Sequence, residues 1–129
     1  MSKLDDFLNL NDVIAINKTI KINIGGKEFE LVIRPITEAE HVEFQRRSNV
    51  ITKNKITFDS GKYSNLILES CIVEPNFRDA EFLKKAGCIS AVEFINKKFP
   101  AGVVSDIAQK IQELSGFESY DVEIENAKN

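Results

Sequence analysis

The sequence predicts an α+β fold in which N-terminal β-hairpin writing gives way to a C-terminal bundle of short helices. Two observations carry this. Ile20, Ile22 and Ile24 alternate with polar residues, Phe29, Leu31 and Ile33 do the same in a second run, and Gly25-Gly26 joins them. Period two is the mark of a strand with one buried face, and paired glycines supply the positive φ of a tight hairpin turn. From Asp59 onward the apolar residues recur instead at three-four spacing, punctuated by capping residues, glycines and prolines.

Taken in order, residues 4–10 form a short apolar segment, and the Gly25-Gly26 hairpin follows. Arg34-Pro35 ends its second strand. Thr37-Glu38-Ala39-Glu40 then has the spacing of a capping box, which predicts a helix of about ten residues. Residues 48–58 are polar and lysine-rich with Val50, Ile51, Ile56 and Phe58 among them, consistent with a second, weaker hairpin around Lys53-Asn54.

Asp59 can cap the next helix, on which Tyr63, Leu66, Ile67, Ser70 and Cys71 share one face up to the break at Pro75. Asp79 can cap a short helix through Ala86 that Gly87 closes, and Ser90-Ala91-Val92-Glu93 is a second capping box. After Pro100, the stripe Val104, Ile107, Ala108, Ile111 and Leu114 predicts a last long helix ending at Gly116. We therefore expect one domain over residues 1–116 and an acidic C-terminal tail over residues 117–129. That tail alternates acids with Tyr120, Val122 and Ile124, too little apolar surface to pack firmly by itself, and is expected to be mobile alone.

Composition narrows function. The 129 residues are 43% hydrophobic and 29% charged, a globular balance. Residues 1–116 hold sixteen acids and sixteen bases, so the net charge of −3 resides in the tail. A neutral body with an acidic end lacks the basic face that phosphate neutralisation requires, which argues against a nucleic-acid partner. No run reaches membrane-spanning length, and Asp5 and Asp6 stand where a signal peptide would be basic then apolar. A cytoplasmic location is expected. Cys71 and Cys88 form no paired motif and read as reduced, mostly buried thiols.

No catalytic, cofactor-binding or metal-ligating residue is assigned. Cys71 with His41, the single histidine, could be imagined as nucleophile and base. Yet Cys71 falls on an apolar stripe and His41 on a charged helix, so a structural thiol and a surface histidine are the simpler reading. Gly25-Gly26 lacks the further glycines, the lysine-serine pair and the following helix of a phosphate loop. Arg46, Arg47, Lys53 and Lys55 form the one local basic cluster, read as a solvated loop or as a contact for an acidic partner, including the acidic tail of another copy. Nine phenylalanines accompany two tyrosines and no tryptophan, and Phe44, Phe82 and Phe94 fall off the main helix stripes, where they could build a partner-binding patch.

Phe58-Asp59, Tyr63, Val73-Glu74-Pro75-Asn76-Phe77, Asp79-Ala80-Glu81, Gly87, Ala91-Val92-Glu93, Pro100 and Ile111-Gln112-Glu113-Leu114-Ser115-Gly116-Phe117 occur in an order that resembles the XkdN-like family of phage tail assembly chaperones of Gram-positive phages and prophages. Pro100-Ala101-Gly102-Val103-Val104 departs from the Pro-Gly and Glu-Tyr that the family tends to place there. The resemblance implies a non-enzymatic, non-structural assembly factor in the bacterial host cytoplasm. It would bind the tape measure protein and keep it soluble until tail tube subunits assemble. It also implies, as further partners, the tail tube protein, other copies of the chain in a homo-oligomer, and a longer form of the chain made by ribosomal frameshifting. Ala127-Lys128-Asn129 permits codons of the slippery form A-AAA-AAC or A-AAA-AAT. The competing readings are a small structural tail or baseplate subunit, another protein-interaction module, and the thiol enzyme above.

Overall fold

The computed structural model describes residues 3–117. Helix α1 (Lys3–Leu8) and a 3-10 turn (Val13–Ala15) precede β1 (Lys18–Ile24) and β2 (Lys27–Ile33). Then follow α2 (Glu38–Ser48), β3 (Asn49–Thr52), β4 (Lys55–Phe58), α3 (Ser60–Cys71), β5 (Ile72–Glu74), α4 (Ala80–Ala86), α5 (Ala91–Lys98) and α6 (Ala101–Leu114). The α+β expectation holds, strands before helices.

The first hairpin forms around Gly25 and Gly26, both at positive φ, with Ile20 opposite Leu31 and Ile22 opposite Phe29. Opposed residues of an antiparallel pair share a face. This register therefore gathers Ile20, Ile22, Leu31 and Ile33 on one buried surface. Against it pack Tyr63, Ile67, Leu68 and Cys71 of α3, Ile95 of α5, and Ile107 and Ile111 of α6, which together make the core. Of the residues expected to face inward on α3 and α6, Tyr63, Ile67, Cys71, Ile107, Ala108 and Ile111 are buried and Leu66, Val104 and Leu114 half-buried at the margin, whereas Ser70 stays out of the core and Leu68, which was not expected there, is 1% exposed.

Strand β5 has no signal of its own in the sequence, because Ile72 and Val73 continue the apolar run toward Pro75. The helix in fact stops at Cys71, whose carbonyl accepts from Arg34 N at 2.9 Å, and Ile72–Glu74 joins the sheet beside β2 in the order β1-β2-β5. Capping follows expectation more closely. Thr37 and Glu40 form a reciprocal box, Asp59 and Asp79 each accept from the backbone N three residues on, and Gly87 and Gly116 close α4 and α6 at positive φ. Only half of the second box forms. Ser90 accepts from Glu93 N, but the Glu93 carboxylate reaches back to Ile89 N, one residue beyond the expected amide.

Residues 48–58 do fold as a hairpin, turning at Lys53 and Asn54, both at positive φ. The apolar segment at residues 4–10 becomes α1, which buries none of its residues. The tail expected from residue 117 reaches the structure only in Phe117, and residues 118–129 lie outside the described part.

Candidate functional site

The rings that the sequence set apart from the helix stripes separate into two groups. Phe44 is not part of a surface patch: it is 6% exposed and belongs to the core, with its ring edge toward Tyr63. Too few apolar residues lie on α2 to fix its orientation from sequence, and Phe44 rather than the exposed Val42 faces inward. Phe82 and Phe94 are half-buried and meet at 4.8 Å between centroids in an edge-to-face pair. Phe77 stacks on Phe94 at 5.5 Å, and Phe99 stands edge-on to Phe77 at 5.8 Å. Such geometries are preferred by ring quadrupoles and contribute beyond simple area burial.

These rings come from different places. Phe82 belongs to α4 and Phe94 to α5, Phe77 to the segment between β5 and α4, and Phe99 to the end of α5. Together they form one wall of an open groove of about 330 Å³, whose other wall is the turn end of the first hairpin, with Ile22, Ile24 and Phe29. The groove is thus the mouth of the core: Phe77, Phe99 and Ile24 pack directly against its buried residues. Glu30 and Lys98 give it one acid and one base at the lining. Apolar walls with a few polar groups at the edge are what a site for an apolar polypeptide segment requires.

A family model of the XkdN-like phage tail assembly chaperone proteins matches residues 4–128. The chain belongs to that family. A solved structure with the same fold is the crystal structure of the protein yqbn, a structural genomics target, at 16% identity and a TM-score of 0.58, covering 79% of this chain and 87% of that one. No curated protein matches.

The remaining candidates in this tail assembly chaperone are placed as follows. Cys71 is fully buried, and burial pushes its thiol up to about 12, far from the thiolate a nucleophile needs. His41 pairs through Nδ1 with the Tyr63 hydroxyl and packs against Phe117. Tyr63 and Cys71 lie eight residues apart on α3, about 12 Å of helix rise, so histidine and thiol are not brought together. Cys88 is buried and free, as is Cys71. Gly25-Gly26 is the hairpin turn.

The strongest ion pair is structural. Arg34 holds Glu40 through two hydrogen bonds of 2.8 and 2.7 Å and also donates to the Pro35 carbonyl. The Arg34 bonds, aided by Thr37, hold the Glu40 carboxyl down at about 2 against its ordinary 4.5. In the basic cluster, Arg46 is engaged by Glu43. Among the described residues no group of three or more His, Cys, Asp or Glu is placed to hold a metal, and no helix is long and apolar enough to cross a membrane.

Proposed function

We propose that this tail assembly chaperone binds an apolar segment of the tape measure protein in the phenylalanine-walled groove and keeps it soluble in the host cytoplasm until tail tube subunits surround it. It catalyses no reaction. The observation that carries this reading is the groove itself: four phenylalanines of α4, α5 and their flanks stand half-buried, supported by the core yet open on one side. Apolar surface of this kind holds an apolar chain reversibly, because it stays folded when the partner leaves. In this reading residues 1–116 are the binding domain, and residues 117–129 lead into the additional domain of a frameshifted longer form.

Co-expression tests it. Overlapping tape measure fragments from the same gene cluster should become soluble and co-purify with the chain, and Phe82→Glu should abolish both effects while the variant stays folded by circular dichroism. If no fragment is retained, or if Phe82→Glu retains every fragment, the groove is not the site. Purified tails should lack the chain; finding it there in stoichiometric amount would establish the structural-subunit reading instead.

A further inference from the structure

The hairpin β3–β4 carries a second apolar surface, separate from the groove, and beside it an unused edge. Ile51 and Ile56 are directly opposed, and with Phe58 they share one face. Their exposures are 76%, 70% and 48%. Lys55 and Thr57 lie on the other face, and Asp59, still extended at φ −92 and ψ 96, continues it. β4 pairs only with β3, so among the described residues its outer edge has no strand partner. A two-stranded ribbon is marginal in water by itself, and an exposed edge beside exposed isoleucines is a template for another strand.

The ladder decides which backbone groups this edge offers. Asp59 N donates to Ser48 O at 2.7 Å, so residues 48 and 59 form a hydrogen-bonded pair. Bonded and non-bonded pairs alternate along an antiparallel ladder, so 50 with 57 and 52 with 55 are bonded as well. Lys55, Thr57 and Asp59 therefore direct their backbone groups toward β3, and Ile56 and Phe58 turn theirs outward. Only one two-fold register of this edge with itself uses both residues. With Thr57 opposite Thr57 of the second copy, Ile56 lies opposite Phe58 of the second copy and Phe58 opposite Ile56 of the second copy, which makes four hydrogen bonds. Centring the axis on Ile56 sets Phe58 against Asn54 of the turn, and centring it on Phe58 sets Ile56 against Ser60 of α3. Either choice keeps two bonds.

The side chains suit the same register. Isoleucine meets phenylalanine on the apolar face, on both sides of the axis. On the other face Lys55 stands opposite Asp59 of the second copy, again twice. Lys55 is in no ion pair among the described residues, and Asp59 is exposed while it caps α3. Opposite charges across neighbouring strands favour this pairing. The outer edge of β3 is the poorer one: its outward residues are Asn49 and Ile51, so self-pairing there would set isoleucine against asparagine.

We propose that two copies of the chain pair antiparallel along β4, about a two-fold axis at Thr57, into one four-stranded sheet. The contact uses no residue that lines the groove, so it goes beyond the groove reading and does not rest on it. One strand edge and a few side chains make a small interface, and the dimer should form reversibly and dissociate on dilution.

Sedimentation of the full chain, with no tape measure fragment present, tests this independently of what the groove binds. A monomer–dimer equilibrium is expected. Ile56→Pro removes an outward N–H and no bond between β3 and β4, and should weaken the dimer about tenfold or more. Lys55→Asp sets acid against acid and should weaken it about fivefold. Mild oxidation locates the axis. Thr57→Cys should yield a disulfide-linked dimer, because opposed non-bonded residues lie about 4.5 Å apart between Cα atoms, within disulfide reach. Ile56→Cys should not, since its two copies would stand about 8 Å apart. The native Cys71 and Cys88 are buried and do not compete. A chain that stays monomeric at every concentration would overturn the proposal. So would a dimer that Ile56→Pro leaves intact, which would use another surface, or linkage at Ile56→Cys or Val50→Cys as efficient as at Thr57→Cys, which would move the axis.

Discussion

The groove and the second hairpin are both apolar and both open, but they are attached to the molecule differently. Phe77 and Phe99 of the groove rest on the buried core, and the rings of Phe82 and Phe94 complete the same aromatic stack. Every residue of β3 and β4 is exposed, and the hairpin meets the body only through its base. An apolar surface grown from the core cannot change without altering stability, whereas a ribbon standing clear of the core can change freely. Substitutions that weaken the fold therefore belong to the first surface, and those that leave it untouched belong to the second.

The largest effect is expected at the centre of the stack. Phe94→Ala removes a ring that meets Phe77, Phe82 and Phe99. It should cost about 2–3 kcal/mol, less than a fully buried Phe→Ala because Phe94 is half-exposed. Thermal melting checks this; a variant as stable as the native chain would mean the rings are held independently of the core.

Acid should come next. The Glu40 carboxyl lies at about 2 in the folded chain and at 4.5 when unconstrained, a depressed value. Its contribution is complete above 4.5 and is lost as pH falls from 4.5 toward 2. About 1–2 kcal/mol should disappear over that window, since the partly exposed pair is screened by solvent, and Glu40→Gln should flatten this part of the stability profile. Because Glu40 caps α2 and α2 ends at the hairpin, exchange in β3–β4 should respond with it.

A smaller effect of opposite sign is expected at the hairpin's base. Ser48 is fully buried and its hydroxyl has no hydrogen-bond partner among the described residues. Ser48→Ala should stabilise by about 1 kcal/mol in denaturant titration, and a loss would reveal a partner for the hydroxyl. The smallest change belongs to the hairpin itself: Ile51→Lys should leave stability within about 0.5 kcal/mol. A larger loss there would erase the distinction between the two surfaces.

The legible parts of the fold are those whose signal is local. Gly25-Gly26 between alternating runs, the Thr37–Glu40 box, and the stripes of α3 and α6 each specify their own element within a few residues. The second turn was harder to read because Lys53 and Asn54 take positive φ without a glycine, which asparagine tolerates and lysine does not advertise. Strand β5 was invisible since three residues carry no period of their own and are held by β2. The groove was half legible: Phe82 and Phe94 stood out as leaving their stripes, whereas Phe77 and Phe99 lie outside regular stripes and join them only through tertiary folding.

One hydrogen bond bears on the order in which the molecule is made. Ile36 N donates to Ser115 Oγ at 2.8 Å across 79 residues of sequence, and the same hydroxyl donates to Ile111 O. Synthesis delivers the N-terminal elements first, so the amide that follows the first hairpin must wait for the end of the last helix before it is paired. Until then the sheet lacks the helix that covers it, and a chain interrupted before Ser115 would leave that amide to water or to a cleaving protease. The body is thus locked only once Ser115 has been made and its hydroxyl has reached the amide of Ile36.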